Sequence, residues 1–275
     1  MAPSIQPSVQ QLAHIQNILV IPVEAPPLQI IPDPIEERLP VYRHEQNMTI
    51  SVPMHEAIYK NPGNVLIAGH VSEDDIVVEL DEQAHASTRL EPRAALGDQW
   101  MPTSILAEAM VSELRALNIN ARLSQHYFRL PVPGYGHDAY LFHWHTAVSD
   151  WYAQDSSQLD YRQVANDSGI DAVLEIGLGT YRIFEGQVSL QVLVRLIDPH
   201  DNRLLARTQK ADFRVAGSAQ ALLENDSHKF KQVINVIGNR LIRQVLSRIG
   251  FSSKLKSAGE SSHSTFVLHS AKRSS

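Results

Sequence analysis

QVSLQVLVRLIDPHDNRLLARTQKADFRV, residues 187–215, is the stretch on which the fold turns: two β-rich runs flank DPHDN, whose Asp, Pro and Asn residues make a tight turn. In the first run Val188, Leu190, Val192, Val194 and Leu196 fall on one side. Ser189, Gln191, Leu193 and Arg195 fall on the other. Such alternation belongs to a β-hairpin with one face on a core and the other at least partly wet.

Working outward, IDAVLEIGLGTYRIF (170–184) reads as a strand feeding that hairpin. Ala172, Leu174, Ile176 and Leu178 share one face, and Val173, Glu175, Gly177 and Gly179 the other. The Gly-Leu-Gly inside it is not a phosphate loop. It lies within a strand, lacks a third glycine and opens no helix, so close packing or strand curvature is the expected role. Upstream, QLDYRQVANDSG (158–169) fits a short helix stopped by Gly169.

Downstream, a long helix is expected from about Ser218 to Ile249. Leu223, Phe230, Val233, Ile234, Ile237, Leu241, Val245 and Ile249 form its apolar stripe, flanked by Lys229, Lys231, Arg240, Arg243 and Arg248. A membrane-surface helix would share this pattern, but a core-packed helix with a solvated charged face is the commoner outcome. The serine-rich residues 251–275 have the composition of a disordered tail.

Further upstream, PTSILAEAMVSELRALNIN (102–120) carries Leu106, Met110, Leu114 and Leu117 at helical spacing, with Thr103 or Ser104 as cap. INARLSQHYFRL (119–130) then reads as one strand closed by the turn-rich PVPGYGHD. NILVIPV (17–23) is a continuous apolar run of the kind that fills a central strand. The proline-rich EAPPLQIIPDPIEERLP (24–40) must be extended. Between 41 and 100, MTISV, NVLIAGHV and DDIVVEL have strand character, and PMHEAIYKNPG suggests a helical turn or two.

The elements in order are strand, elaboration, helix, strand, insertion, short helix, strand, hairpin and long amphipathic helix. That is an α/β (α+β) arrangement, a mixed or antiparallel sheet packed with amphipathic helices. A flexible segment is expected over 1–16, one domain over 17–250 with insertions at about 24–100 and 130–157, and the tail beyond. In order and in local wording, the chain resembles the domain shared by the curli-export lipoprotein CsgG and the amino-terminal part of the Tol-system protein TolB. The resemblance rests on NILVIPV, LAEAMVSELRALNINARL, VANDSGIDAVLEIGLG and VRLIDPHDNRLLART, about half of the chain. It implies a bacterial periplasmic or outer-membrane-associated protein that works through interactions. It carries no catalytic residue over to this chain, and the lipid-bearing cysteine of such lipoproteins has no counterpart here.

HDAYLFHWH (137–145) is the one metal-like stretch. As a strand it would point His143 and His145 the same way, roughly 7 Å apart, close enough to share an ion. As a helix, AYLFHWHTAVSDWYAQ sends those histidines to different sides and aligns Tyr140, Trp144, Val148 and Trp151 in an aromatic stripe. Such a stripe more often docks a helix on its own domain than on a partner. A catalytic zinc needs a third ligand and a water position; His70, His126 and Asp138 are polar, but their spacing does not select them.

Composition narrows the rest. The 275 residues are 43% apolar, enough for a real core. The net charge of -6 arises from well-mixed residues, which argues against a nucleic-acid surface. There is no cysteine, which excludes disulfides, thiolate metal sites and cysteine nucleophiles. No G-x-S-x-G elbow, H-E-x-x-H helix or P-loop occurs. The start MAPSIQPSVQQLAHIQ is not a signal peptide and, read literally, gives a cytoplasmic chain. A start of this kind also remains when a methionine replaces a removed signal.

The expected function is therefore a non-enzymatic envelope accessory protein, the soluble part of a lipoprotein. It would need no cofactor, bind other envelope proteins or itself, and reach the membrane through a lipid anchor. Its expected contact surfaces are Pro26 and Pro27 in the wrap and the aromatic Tyr140, Trp144 and Trp151. The rivals are a metal-dependent hydrolase using His143 and His145, and a small-ligand-binding α/β module.

Overall fold

The computed structural model describes residues 2–31, 65–67, 88–96, 100–132, 137–162, 169–184, 186–225 and 227–251. Within them the chain forms a mixed sheet covered on both faces. In chain order the elements are α1 (Val9–His14), β1 (Asn17–Pro22), β2 (Leu28–Ile31), β3 (Val65–Ile67), β4 (Arg89–Pro92), α2 (Pro102–Ala116), β5 (Asn120–Leu123) and β6 (His126–Arg129). Then come α3 (His137–Ala153), β7 (Ala172–Phe184), β8 (Gln187–Ile197), β9 (Leu204–Val215), α4 (Ala219–Leu223) and α5 (His228–Ile249).

β7 is the spine. Along one edge it pairs antiparallel with β8, which pairs antiparallel with β9, so the hairpin expected at 187–215 is present. Along the other edge β1 pairs parallel with residues 172–176 and β2 with residues 182–184. β1 and β2 thus lie end to end. β5 pairs parallel beyond β1 and β3 beyond β2. β4 and β6 form a separate antiparallel pair.

Strand alternation sorts side chains to the two faces. Ile18, Val20, Leu174, Ile176, Val192 and Val194 join Leu106, Met110 and Leu114 of α2 and Phe230, Ile234, Ile237 and Leu241 of α5 in the larger core. Ile21, Val173, Leu193 and Ile197 join Phe128 of β6 and Trp144, Val148, Trp151 and Tyr152 of α3 in the smaller. Each fully buried large apolar side chain is worth about 1.5–3 kcal/mol over its exposed state. The face of β8 expected to be wet is therefore buried wherever α3 lies over it.

Three local expectations give way, each for an identifiable reason. Residues 119–130 form two strands: Ser124 accepts the His126 N–H at its hydroxyl (3.0 Å), and the turn sends β6 out of the main sheet to β4. α2 is capped by neither Thr103 nor Ser104. It opens on Pro102 after Met101, since proline suits a first helical turn whose N–H groups lack partners anyway, and both hydroxyl residues are buried within that turn. The long helix is broken between α4 and α5, where Asn225 and Ser227 adopt positive φ of 53° and 55°. Of the short helix expected over 158–169, residues 158–161 are irregular, Arg162 is helical, and 163–168 lie outside the described residues. The lead segment also differs from a flexible one: Ser8 and Gln11 form a reciprocal cap on α1, and Ile5 exchanges backbone hydrogen bonds with Arg207 of β9. MTISV, DDIVVEL, PMHEAIYKNPG and the tail from 252 lie outside the described residues.

Candidate functional site

The densest polar cluster lies between α3 and the sheet. Glu175 of β7 and Arg195 of β8 stand directly opposite each other, both wholly buried, and pair at 3.0 Å. All the accepting capacity of the carboxylate is used. Oε2 accepts from Trp151 Nε1 (2.8 Å) and Arg195 Nη1, while Oε1 accepts from Ser157 Oγ (2.7 Å) and Tyr161 OH (2.9 Å). Arg195 Nη2 donates to the carbonyls of Gln154 (3.1 Å) and Ser156 (2.6 Å), and its guanidinium lies 5.6 Å from the Trp151 ring centre. The buried Tyr161 hydroxyl holds its proton far above its usual range, through desolvation first and the Glu175 charge second.

This arrangement is a clasp. An ion pair removed from water repays its desolvation only when the remaining donors and acceptors are satisfied. Here the partners of all but Arg195 Nε, which has none among the described residues, come from the end of α3 and the irregular 154–161 segment, so holding the pair ties that segment to the sheet. Gly177 completes the fit: a Cβ there would meet the Trp151 ring at 2.9 Å, so the glycine admits the indole. The close-packing role read from Gly-Leu-Gly is realised at this residue. Beside the clasp, Arg207 on β9 donates to the carbonyls of Pro3 and Ala153, fastening the lead segment and the end of α3.

A second polar group sits where β1 gives way to β2. Glu24 is 1% exposed; the Leu130 N–H donates to its Oε2 (3.0 Å), and its Oε1 has no hydrogen-bond partner among the described residues. Burial pushes its carboxyl up to about 7, opposed by the nearby Arg129 charge. Arg129 also pairs with Glu91 at 2.7 Å, and Tyr127, pushed up to about 12 mainly by burial, stands on the same strand pair.

The residues named from the sequence are distributed as follows. α3 is helical from His137 to Ala153, so the extended backbone that would set His143 and His145 side by side is not formed, and the His143 side chain lies outside the described residues. Among the described residues, no three His, Asp or Glu side chains gather to hold a metal ion. Trp144 and Trp151 are each 1% exposed and dock α3 on its own domain. Tyr140 lies in the first turn of α3, where its side chain is outside the described residues, as is His70. Pro26 and Pro27 are buried in the β1–β2 connection. His126 lines a cleft of about 370 Å³ with Leu19, Leu90, Arg122 and Tyr161.

The Glu175–Arg195 pair is not among the residues the sequence singles out. The available signal was one charged residue in each of two otherwise apolar strand runs, VLEIGL and VLVRLI.

No family model and no curated protein matches the chain. Among solved structures it is similar to the PelC dodecamer from Paraburkholderia phytofirmans at 10% identity, covering 90% of this chain and 96% of that one, with a TM-score of 0.37. It is also similar to a hypothetical protein from Chlamydia trachomatis at 14% identity, covering 55% and 83%, with a TM-score of 0.33. A bacterial lipoprotein is among these neighbours: GNA1162 from Neisseria meningitidis, at 15% identity, covering 81% and 98%, with a TM-score of 0.21.

Proposed function

We propose that the chain is a non-enzymatic accessory protein of the bacterial cell envelope, the soluble part of a lipoprotein, acting by binding other protein chains in envelope assembly or export. The observation that carries the reading is the division of labour among its side chains. The buried charges of the sheet hold the fold together, and Phe184, Phe213 and Val215 are left exposed at one end of that sheet. Exposed apolar groups gathered in one place are a mark of interaction surfaces. With Trp144 and Trp151 inside the domain, the contact surface proposed here moves to that end of the sheet.

The test is photo-crosslinking in the native host from a reactive side chain at Val215, together with the intact mass of the mature chain. A discrete protein adduct and an acylated amino terminus are expected. A cytoplasmic chain without a lipid, and no specific adduct, would overturn the proposal. The cleft beside His126 favours a second reading, a small-ligand module, which a ligand-dependent rise in Tm, lost on Arg122→Ala, would support.

A further inference from the structure

β9 has two edges. Its even-numbered residues face β8, as the Ala216 N–H bond to the Gly186 carbonyl (2.9 Å) continues to show just past the strand. Its odd-numbered residues turn their backbone groups outward: Arg207 exchanges both of its bonds with Ile5, at 2.8 and 3.0 Å. That contact covers the start of the outer edge. From Gln209 to Val215 the edge has no strand partner among the described residues.

The same odd-numbered residues carry their side chains on the α3 face of the sheet, beyond the end of α3. Phe213 is 58% exposed and Val215 73%. Cross-strand register continues the row from Val215 through Gln187 to the partly exposed Phe184. An apolar strand edge of this kind is a template for another strand. The even positions, on the α5 face, are charged: Lys210, Asp212 and Arg214.

We propose that this edge pairs antiparallel with the same edge of a second copy, about a two-fold axis through Phe213. In that register Phe213 meets Phe213 of the second copy, Ala211 meets Val215, and Asp212 meets Arg214 twice over. From 211 to 215 each row then sets apolar against apolar or joins opposite charges. Moving the axis to Asp212 would set Asp212 against itself and Lys210 against Arg214, a like-charge penalty. Moving it to Ala211 would bury Phe213 against Gln209 and drive the new strand toward Ile5. Self-complementarity of one patch is what a two-fold interface requires. Two local contacts must yield: the Phe213 N–H now donates to Asp212 Oδ1 (2.8 Å), and Asp212 pairs with Arg240. The product is a continuous sheet, β7-β8-β9 joined to its symmetry mate.

The inference rests on the interaction-scaffold reading and names one partner. Sedimentation velocity of the full chain tests it. The wild type is expected to dimerise with rising concentration, and Arg214→Asp to weaken the dimer about tenfold by turning two attractions into repulsions. The double variant Arg214→Asp/Asp212→Arg restores the pairs with their signs reversed and should restore the dimer. The absence of native cysteine makes a single engineered thiol unambiguous. Directly opposed residues lie about 5.5 Å apart at Cα, within disulfide reach, so Phe213→Cys should cross-link two copies on oxidation and Ala211→Cys should not. A wild type that stays monomeric, a dimer indifferent to Arg214→Asp, or cross-linking through 211 in place of 213 would each overturn the proposal. A monomer that still captures another envelope protein would lose this inference while keeping the broader function.

Discussion

Glu175 and Arg195 show how far a single residue can be read from its strand. Alternation assigns Glu175 to the face of Gly177, and Arg195 to the face of Leu193, without any structure. Their pairing is another matter. Counted back from the β7–β8 turn in unbroken register, Glu175 would lie opposite Leu196; the irregularity between Leu178 and Tyr181 slides β7 by one residue and brings Arg195 across. A bulge leaves little trace in composition, so the clasp was illegible although both members were in view. Replacing Glu175 with Ala strands a buried guanidinium and is expected to destabilise the fold by about 3–5 kcal/mol in chemical denaturation. Removing both charges together, as Glu175→Leu/Arg195→Met, should cost less than the single change. An additive result in that cycle would mean the two residues do not act as a pair. Gly177→Ala drives a methyl into the Trp151 ring and is expected to cost about 1–3 kcal/mol, visible as a lower Tm.

At the scale of elements, α2 crosses α5 at Gly238, where an added Cβ would fall on Leu106 Cδ2. The apolar stripe of α5 was legible because hydrophobic spacing reports which face is buried. It could not report how close the neighbouring helix comes, and the stripe read from the sequence skipped Gly238 for that reason. A β-branched residue must displace Leu106 from a filled core, so Gly238→Val is expected to lower stability by about 1–3 kcal/mol. Leu106→Ala in the same background should recover part of that loss, which thermal unfolding of the two variants would show. The two misread boundaries have a common cause as well. Ser124 ends β5 and Ser227 precedes α5 by bonding nearby backbone, Ser124 accepting from His126 and Ser227 donating to the Leu223 carbonyl (3.2 Å). Serine does this only in some contexts, so neither break stood out within an otherwise continuous apolar pattern.

At the scale of the whole molecule, Glu24 links the two halves of the sheet. Its N–H donates to the Phe128 carbonyl (2.7 Å) and its carboxyl accepts from Leu130, so the junction of β1 with β2 is held to β6 at one residue. Arg129, Glu91, Arg89 and Tyr127 are the charged and titratable groups around it. Because burial raises its folded value from 4.5 to about 7, the folded chain holds this proton where the unfolded chain has released it. Stability from this group is complete below pH 4.5, falls as pH rises through that window, and is lost above about 7. The loss is on the order of 3 kcal/mol. Glu91 and Asp160 shift the other way, below their ordinary carboxylate values, so their contributions fade at lower pH, whereas His145, lowered from 6.5 by burial, gains stability as pH rises through the same window and opposes Glu24. Glu24→Gln keeps an oxygen for the Leu130 N–H and has no proton to lose. Its unfolding free energy relative to that of the wild type should therefore rise between pH 4.5 and 7, and be higher at pH 8. Parallel curves for the two proteins would place the proton elsewhere and leave Glu24 as an ordinary polar contact. Divergence of the predicted sign would mean that ionising this carboxyl weakens the fold from the β1–β2 junction.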